Sequence, residues 1–451
     1  MTPLTIDTTR LDTDGGGSGR WRQALGVARP QRVGVVSSVI GLTVEVTGLP
    51  LAVGDLVDID AGGWSVSAEV VGLGRDSARC MPLGSLEGLR IGAPVRSTGH
   101  PLMIGVGEGL LGRVLDGLGR PIDGRGPLSV DDAVPVTAEA PAALDRARVD
   151  QPLSLGVRVL DTLTTVGRGQ RMGLFAGSGV GKSSLLSMIA RGTDAPIAVI
   201  GLVGERGREV REFLEDDLGE AGLARSIVVV ATSDEPPVVR LRAAFTATRI
   251  AEYFRDQGTD VVLMMDSLTR AAMAQREIGL SIGEPPATRG YPPSTFAMLA
   301  QLLERAGTGR TGSVTGIYTV LVDGDDHNEP IADAARSILD GHVVLDRKLA
   351  VQGHFPSVDP IASISRVASR VTSPEQRAAA TTLRSVLAAR RQAQDLIDVG
   401  AYVAGSNARV DAAVENSDAI DAFLRQDLEK AVGADQSWAH LQALVDGLGV
   451  N

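Results

Sequence analysis

Short apolar runs separated by turn residues occupy the first part of the chain and indicate small β-strands. The four clearest runs are Val33–Val39, Thr43–Thr47, Leu56–Ile59 and Ser65–Val71. Strands this short, joined by Gly- and Pro-containing turns, are typical of a small barrel or sandwich. We therefore predict a β-barrel domain over residues 29–98.

The pattern changes after residue 98. Pro101–Pro127 is rich in glycine and predicts turns that leave the barrel. From about residue 150 to 370, near-continuous apolar runs alternate with helical stretches, as in a parallel sheet buried on both faces. The predicted strands are Ile197–Val203, Ser226–Ala231, Val261–Asp266 and Val314–Val322. The predicted crossover helices are Glu209–Glu220, Val238–Asp256 and Ser294–Ala306. This alternation predicts an α/β core within residues 99–374.

The two ends of the chain differ from this core. No proline follows Pro374, and helical periodicity predicts a helical domain over residues 375–451. Its predicted helices are Glu375–Arg391, Val410–Asn416, Ser417–Val432 and a last one that ends near Leu448. Residues 1–28 are polar and contain the glycine-rich stretch Gly15–Gly19, which predicts a flexible segment. Within it, Trp21–Ala28 is compatible with a short amphipathic helix or with a frayed tail.

The composition and charge of the chain limit the classes of protein to which it can belong. In 451 residues, 43% are hydrophobic and 22% charged, which indicates a globular chain with a real core. The net charge of −11 argues against a general nucleic-acid binder, although it is compatible with a local basic groove. The single cysteine, Cys80, excludes an internal disulfide framework and fits a reducing compartment. Met1–Gly26 lacks a signal-peptide apolar region, and no run is long enough to span a membrane. The sequence is compatible with peripheral contact to a membrane surface.

A glycine-rich loop carries the strongest chemical signal. Ala176–Ser183 reads A-G-S-G-V-G-K-S, between a predicted strand at Met172–Ala176 and a predicted helix at Lys182–Arg191. Such a loop offers consecutive backbone N–H groups, a lysine and a hydroxyl to the phosphates and Mg²⁺ of a purine triphosphate. Ala176 replaces the usual first Gly, and a simple glycine-rich turn is the alternative, which the G-K-S triplet and both flanks disfavour. The predicted nucleotide-binding residues are Gly177, Ser178, Gly179, Val180, Gly181, Lys182, Ser183 and Ser184.

Two carboxylates end predicted strands and fit the same chemistry. Asp266 closes Val261–Asp266, where a P-loop fold places the acid that holds Mg²⁺, mainly through water. Glu205 follows another buried strand and would point at the nucleotide crevice, where it could orient the attacking water. The adjacent Arg206 could orient the γ-phosphate or this carboxylate. For Glu205 the alternative is a surface turn with capping charges, which fits Glu209 better.

An arginine is needed for the charge that develops on the phosphoryl oxygens, and a neighbouring subunit often supplies it. Arg366 and Arg370 are candidates, and residue chemistry alone does not choose between them or exclude ordinary surface charge. An acidic loop after a strand contains Asp323, Asp325 and Asp326. An ordinary polar loop is the favoured interpretation, and a subunit interface or a contact to Mg²⁺-bound water is the alternative. The five histidines show no metal-ligand spacing.

Two longer motifs point to a family. Met273–Pro293 reads M-A-Q-R-E-I-G-L-S-I-G-E-P-P-A-T-R-G-Y-P-P, and Pro356–Ser365 fits the rotary ATPase signature P-[SAP]-[LIV]-[DNH]-x-x-x-S-x-S. From about residue 29 onward, the chain resembles the ATPases of bacterial type III protein export, relatives of the catalytic β-subunit of rotary F-type ATPases. Arg270–Arg305 and Gly219–Asp234 look more like the flagellar enzyme than the virulence injectisome enzyme. The resemblance implies a RecA-like P-loop core between the barrel and the helical domain.

The resemblance also implies roles for individual residues. Lys182 and Ser183 would contact the phosphates and Mg²⁺, Asp266 would be the Mg²⁺-side acid, and Glu205 would orient water. Arg366, directly after the signature, would be the arginine supplied to a neighbour in a ring of six identical subunits. Phe355 would stack on adenine where rotary catalytic subunits often carry Tyr, since the ring face is retained.

Further partners are implied by the same resemblance. They are a central stalk protein that contacts loops around Gln394–Asn407, a stator-like regulator near the N-terminal segment, a membrane export gate, and export substrates with their chaperones. The implied location is the cytoplasm, peripheral at the inner face of the cell membrane, with no nucleic-acid partner.

Four other functions compete with this interpretation. A non-catalytic rotary subunit would lack the catalytic carboxylate, so Glu205 argues against it. An ATP synthase β-subunit would share Glu205 and Asp266, but the E-P-P-A-T-R-G-Y-P-P stretch favours export. A hexameric RNA translocase would need an RNA-binding N-terminal domain, which the acidic charge and aromatic-poor barrel disfavour. A non-hydrolysing docking scaffold would not need Lys182, Glu205, Asp266 and Arg366 together.

Overall fold

The computed structural model describes residues 32–177, 179–322 and 329–450. The predicted helix at Trp21–Ala28, the acidic residues Asp323, Asp325 and Asp326, and Ser178 therefore lie outside the described residues.

The N-terminal domain is a closed antiparallel barrel. Its strands, in the hydrogen-bonded order β1-β2-β5-β4-β3-β6, are β1 Gly34–Ile40, β2 Thr43–Thr47, β3 Asp55–Asp60, β4 Ser65–Leu73, β5 Ser77–Pro82 and β6 Pro94–Pro101. Alternate residues of β2, Val44 and Val46, point into the barrel core, as period-two patterning requires. Gly41, at φ 57°, makes the tight turn between β1 and β2. The predicted barrel is confirmed, and β5 and β6 complete it.

The central domain is built on a mixed sheet of order β19-β18-β12-β17-β15-β13-β14-β8. Its strands are β8 Val114–Asp116, β12 Arg171–Ala176, β13 Ile197–Glu205, β14 Ser226–Thr232, β15 Asp260–Asp266, β17 Ser313–Leu321, β18 Gly341–Leu345 and β19 Val358–Ser365. Shorter strands outside this order are β7 Met103–Val106, β9 Asp132–Pro135, β10 Pro152–Leu153, β11 Val166–Gly167 and β16 Gly307–Thr308.

The four predicted strands, which are β13, β14, β15 and β17 in the structure, run parallel to one another, as predicted. The edge strand β19 runs antiparallel to β18. One expectation about this region was wrong. The glycine-rich stretch after the barrel is not turns alone, because Val114–Asp116 pairs with β14 as the edge strand β8. So short a strand is defined by its neighbour across the sheet and not by its own pattern.

Helices cover both faces of the sheet. They are α1 Arg158–Leu163, α2 Lys182–Gly192, α3 Gly207–Glu212, α4 Gly219–Ala224, α5 Pro237–Asp256, α6 Leu268–Ser281, α7 Pro293–Arg305, α8 Pro330–Ile338, α9 Arg347–Val351 and α10 Ala368–Val371. Residues of β15 show the two-sided burial: Val261 and Leu263 join the core under α5 to α8, while Val262 and Met264 join the core under α2. The predicted helix Glu209–Glu220 is divided, because Phe213–Leu218 between α3 and α4 is π-helical.

The C-terminal domain is helical, as predicted, and packs on the α2 side of the sheet. Its helices are α11 Pro374–Asp398, α12 Ala408–Glu415, α13 Ser417–Leu424 and α14 Ala434–Leu448. Helix α11 begins with Pro374 at its first position and a capping box between Ser373 and Gln376. The predicted helix Ser417–Val432 was too long. Residues 425–433 are not helical, and several of their backbone groups bond to the central domain, including the Gln426 and Val432 N–H groups and the Leu428 carbonyl.

Candidate active site

The phosphate-binding loop lies at the carboxyl edge of the sheet. β12 ends at Ala176 and α2 begins at Lys182, so the loop joins a buried strand to a helix N-terminus. Gly179 and Gly181 have φ of 74° and 89°, a left-handed backbone that favours glycine. A Cβ on Gly179 would meet no atom within 4 Å, so this side of the loop is open to a ligand. The loop therefore has the shape and the helix dipole that a phosphate chain requires.

A buried charge cluster lies beside the loop. Lys182 Nζ donates to Asp266 Oδ1 at 2.6 Å, and it lies 3.7 Å from Glu205 Oε1. Thr319 Oγ1, on the strand between β12 and β15, donates to the same Asp266 oxygen at 2.7 Å. Glu205 and Asp266 end neighbouring parallel strands, so both carboxylates reach the same edge of the sheet. The structure thus brings Lys182, Glu205 and Asp266 together as the sequence predicts.

Glu205 has an environment suited to handling a proton. The residue is 8% exposed, and its Oε1 is buried without a hydrogen-bond partner. Burial raises the pKa of Glu205 to about 7, with further upward effects from Asp266 and Glu209, while Lys182 and Arg270 act in the opposite direction. A carboxylate that titrates near neutral pH with a free acceptor oxygen can orient and polarise a water molecule.

Arg270 is a functional candidate that the sequence interpretation missed. It lies in the first turn of α6, four residues after Asp266, and its stem packs on Gly204, where a Cβ would come within 3.1 Å of the Arg270 Cβ. Its Nε is buried without a hydrogen-bond partner. The guanidinium can therefore bind an anionic group of a ligand at this edge of the sheet. The position of Arg270 just after a strand that ends in an acid is the sequence signal that could have identified it.

Phe355 lies against the phosphate loop. A Cβ on Gly181 would come within 3.2 Å of the Phe355 ring, and Ser357 Oγ donates to the Val180 carbonyl at 2.5 Å. The ring therefore borders the loop at the start of α2, where it could support a base whose phosphates lie in the loop.

The two predicted arginines lie elsewhere. The Arg206 side chain is 75% exposed and pairs with Glu209 at 2.6 Å, so the structure does not bring it into the buried cluster. The backbone N–H of Arg366 donates to the Asp340 carbonyl at 3.0 Å, and that of Asp340 donates to the carbonyl of Arg171, the first residue of β12. Arg366 is therefore at the opposite edge of the sheet, roughly 16 Å of strand away from the loop in its own chain. Arg370 is also exposed, on α10.

The residues present fit a magnesium ion bound together with a nucleotide. Ser183 is an exposed hydroxyl in the first turn of α2, and Asp266 is an acid across the loop. Within residues 32–177, 179–322 and 329–450, no group of three or more His, Cys, Asp or Glu could hold a metal ion by itself. Magnesium that shares its coordination with phosphates and water needs few protein ligands. This constellation defines a P-loop nucleoside triphosphatase.

Comparison with known proteins specifies the family. The beta-barrel domain of the ATP synthase alpha/beta family matches residues 36–99, and the nucleotide-binding domain of that family matches 156–365. The T3SS EscN ATPase C-terminal domain matches residues 372–443.

Individual relatives match almost end to end. The flagellum-specific ATP synthase of Bacillus subtilis (strain 168) is 50% identical over 419 residues, which are 92% of this chain and 95% of that protein. The type 3 secretion system ATPase of Xanthomonas euvesicatoria is 48% identical over 427 residues, which are 94% and 97% of the two chains. The assembled ATPase EscN of the enteropathogenic E. coli type III secretion system has a TM-score of 0.86 and 43% identity, and the match covers 91% of this chain and 100% of that one.

The chain belongs to the ATP synthase alpha/beta family, in the group of the flagellum-specific and type III secretion ATPases. It is an ATPase of that group, as the sequence predicts. Among the described residues, no helix is long and apolar enough to cross a membrane.

Proposed function

We propose that this chain hydrolyses Mg-ATP in a homohexameric ring and that hydrolysis energises flagellar type III protein export. The observation that carries the proposal is the buried cluster of Lys182, Glu205 and Asp266 beside the phosphate loop. Bound Mg²⁺ would neutralise charge on the β- and γ-phosphates. Ser183 and, through water, Asp266 would hold it.

The other residues at the site have separate proposed roles. Lys182 exchanges its carboxylate partners for phosphate oxygens when nucleotide binds, because it is the cation nearest the loop. Glu205 orients the attacking water through its unpaired Oε1. Arg270 offers its guanidinium to the phosphoryl oxygens. Phe355 supports the adenine. Arg206, which is exposed, orients the γ-phosphate only if its pairing with Glu209 opens.

The position of Arg366 supports the proposed ring. This residue and its own phosphate loop are at opposite edges of one sheet, so it cannot reach a nucleotide bound in the same chain. A neighbouring copy in a ring brings such an edge to the nucleotide crevice, and an arginine supplied in this way stabilises the transition-state charge. Arg366 is thus proposed as the residue shared between subunits, in preference to Arg370.

Flagellar export is favoured over injectisome secretion by the stretches Gly219–Asp234 and Arg270–Arg305, whereas overall identity to the two groups is nearly equal, at 50% and 48%. The structure of EscN with its central stalk EscO has a TM-score of 0.85 and 42% identity to this chain. By analogy we propose a central stalk partner here. Its contact is residues 399–407 after α11, where Val399 and Val403 are more than two-thirds exposed.

The remaining partners complete the proposal. A stator-like regulator would bind near the N-terminal segment, and the ring would meet a membrane export gate with export substrates and their chaperones. This places the protein in the cytoplasm, peripheral at the inner face of the membrane.

The test of the shared site is specific ATPase activity as a function of protein concentration, for wild type and Arg366→Ala. We expect a steep rise for wild type and a nearly flat line for the variant. Arg370→Ala is the matched control and keeps the rise. Equal activity of wild type and Arg366→Ala at every concentration would exclude both the shared arginine and the ring-coupled mechanism.

A further inference from the structure

Residues 425–433, between α13 and α14, form a non-helical strap that ties the C-terminal domain to the ATPase domain. Arg191, at the end of the phosphate-loop helix, donates from Nη2 to the Leu428 carbonyl at 2.6 Å. The Val432 N–H donates to the Gly156 carbonyl at 3.1 Å. The strap is therefore bound to the ATPase domain at several points along its length.

Gln426 is the most completely bonded residue of the strap. Its Oε1 accepts from the Arg158 N–H at 2.8 Å, and its Nε2 donates to the carbonyls of Gly156 at 2.8 Å and Lys430 at 2.7 Å. The residue is only 8% exposed. A buried amide with both ends bonded holds its own backbone in one place, since any displacement leaves buried polar groups unpaired.

The backbone of Gln426 bonds to the residue beside the phosphate loop. Its N–H donates to the Phe355 carbonyl at 3.0 Å. On its other side, the Phe355 ring lies beside Gly181, where an added Cβ would come within 3.2 Å of it, and Ser357 Oγ donates a hydrogen bond to the Val180 carbonyl. Phe355 is thus held between the phosphate loop and the strap, and Gln426 supplies the hydrogen bond from the C-terminal domain.

We propose that Gln426 is a positioning residue for the base of the bound nucleotide. The side-chain hydrogen bonds of Gln426 hold the strap in place, and the strap holds the Phe355 backbone through the Gln426 N–H. The Phe355 ring is thereby kept in the position where a base can stack on it. The inference rests on the proposed function, because it takes Phe355 as the adenine-stacking residue. Binding that depends on a rigid aromatic face is weakened when the support of that face is loosened, even without a lost ligand contact.

The experiment compares a ligand that has a base with one that lacks it. Dissociation constants for ADP and for inorganic tripolyphosphate are measured by calorimetry, with Mg²⁺, on wild type and Gln426→Met. Methionine keeps the approximate volume and removes the three side-chain hydrogen bonds. We expect ADP binding to weaken roughly tenfold and tripolyphosphate binding to change less than about twofold, because only ADP uses the Phe355 ring.

Four further variants sharpen the result. Gln442→Met makes the same change at an exposed glutamine of α14, which is bonded only to Asp446 among the described contacts, and should bind both ligands as wild type does. Phe355→Ala should reproduce the ADP-selective loss, and Gln426→Met added to it should weaken ADP little further, because both act through one ring. Gln426→Asn, a milder change, provides the same comparison if the methionine variant folds poorly.

The outcomes separate the inference from the proposed function. Equal weakening of both ligands would mean that Gln426 supports the whole loop, and unchanged ADP binding would mean that it positions nothing; either result overturns the inference alone. Wild type that binds ADP no more tightly than tripolyphosphate would remove the base-stacking role of Phe355 and the inference with it.

Discussion

Lys182 Nζ lies 2.6 Å from Asp266 Oδ1, although Lys182 follows the loop after β12 and Asp266 ends β15, two strands that are not adjacent in the sheet. The strand between them contributes Thr319, which donates to the same carboxylate oxygen at 2.7 Å. The lysine charge is therefore balanced inside the protein before any phosphate arrives. In the proposed function, nucleotide binding replaces these carboxylate contacts of Lys182 with phosphate contacts, and such an exchange would change the electrostatics around Glu205.

Glu205→Gln should abolish turnover and preserve nucleotide binding. Glutamine keeps the size of the side chain but is a much weaker acceptor for a water proton, so we expect kcat to fall at least about 10²-fold. The dissociation constant for ADP should change less than about threefold, since the carboxylate is proposed to act on water and not on the nucleotide. Steady-state ATPase assays and calorimetry measure the two quantities.

Glu212→Gln is the control for that substitution. Glu212 is an exposed carboxylate on α3 that pairs with Arg208, and its loss should leave kcat unchanged. If Glu205→Gln retained wild-type turnover, another group would have to orient the water.

The pH dependence follows from the burial of Glu205. Because burial raises the pKa of Glu205 to about 7, the ionised carboxylate forms only as the pH rises through that value. We expect kcat/KM to increase with pH through about 7 and to level off above it, since kcat/KM reports the free enzyme. A profile measured from pH 5.5 to 9 on wild type checks this.

Protein stability should follow the opposite course. The pKa of Glu205 is raised from 4.5 in the unfolded chain, so between these two values the folded protein holds a proton that the unfolded chain has released. Its contribution to stability is present below about pH 4.5 and is lost as the pH rises through 7. The melting temperature of wild type minus that of Glu205→Gln should therefore fall from pH 5 to pH 8. A constant difference would show that Glu205 is not proton-linked to folding.

Arg270→Ala should lower kcat by about 10²-fold, because a preorganised cation for the phosphoryl oxygens is lost. Arg270→Lys should recover activity only in part, since an ammonium cannot reproduce the planar guanidinium. The change also removes a positive charge that lowers the pKa of Glu205, so the acidic limb of the pH profile should move to higher pH. Activity assays across pH measure both effects.

Arg211→Ala is the matched control. Arg211 is 78% exposed and pairs with Glu215 on the surface, so neither kcat nor the pH profile should change. An unshifted acidic limb in Arg270→Ala would indicate that Arg270 does not act on Glu205.

A second buried ion pair governs stability away from the site. Arg305 of α7 binds Glu252 of α5 through two contacts of 2.6 and 2.7 Å, and both side chains are 1% exposed. Glu252→Gln leaves the Arg305 charge buried without its counter-ion, which should cost about 3–5 kcal/mol of folding free energy. Glu215→Gln, at the exposed pair with Arg211, should cost less than about 1 kcal/mol. Urea unfolding of the two variants compares the costs, and similar midpoints would contradict the prediction.

Local patterns were sufficient for the parts of the site that lie within one segment. The loop after β12, the helix from Lys182 and the acids that end β13 and β15 could all be predicted, because buried parallel strands deliver their last residues to one edge. The exact bounds of the three domains and the catalytic roles stay predictions.

Sequence patterns did not predict features whose structure or role depends on residues distant in the chain. Val114–Asp116 is too short to show a strand without β14 beside it. Arg270 and Thr319 are ordinary residues of a helix and a strand until the sheet order places them at the cluster. Most of the strap was predicted to be helical because its own residues allow a helix. Its bonds to the central domain hold it in a non-helical conformation instead.

The sequence by itself determined that this protein has a phosphate-binding loop, two strand-end carboxylates and three domains of different periodicity. These features are local, since periodicity reports how a segment is buried and a motif carries its own backbone geometry. Only the tertiary structure decided that Lys182 meets Asp266 across an intervening strand, that Arg366 lies at the opposite edge of the sheet from its own loop, and that the Gln426 N–H donates to the Phe355 carbonyl. Such contacts depend on which elements become neighbours, and that is set by burial of the whole core.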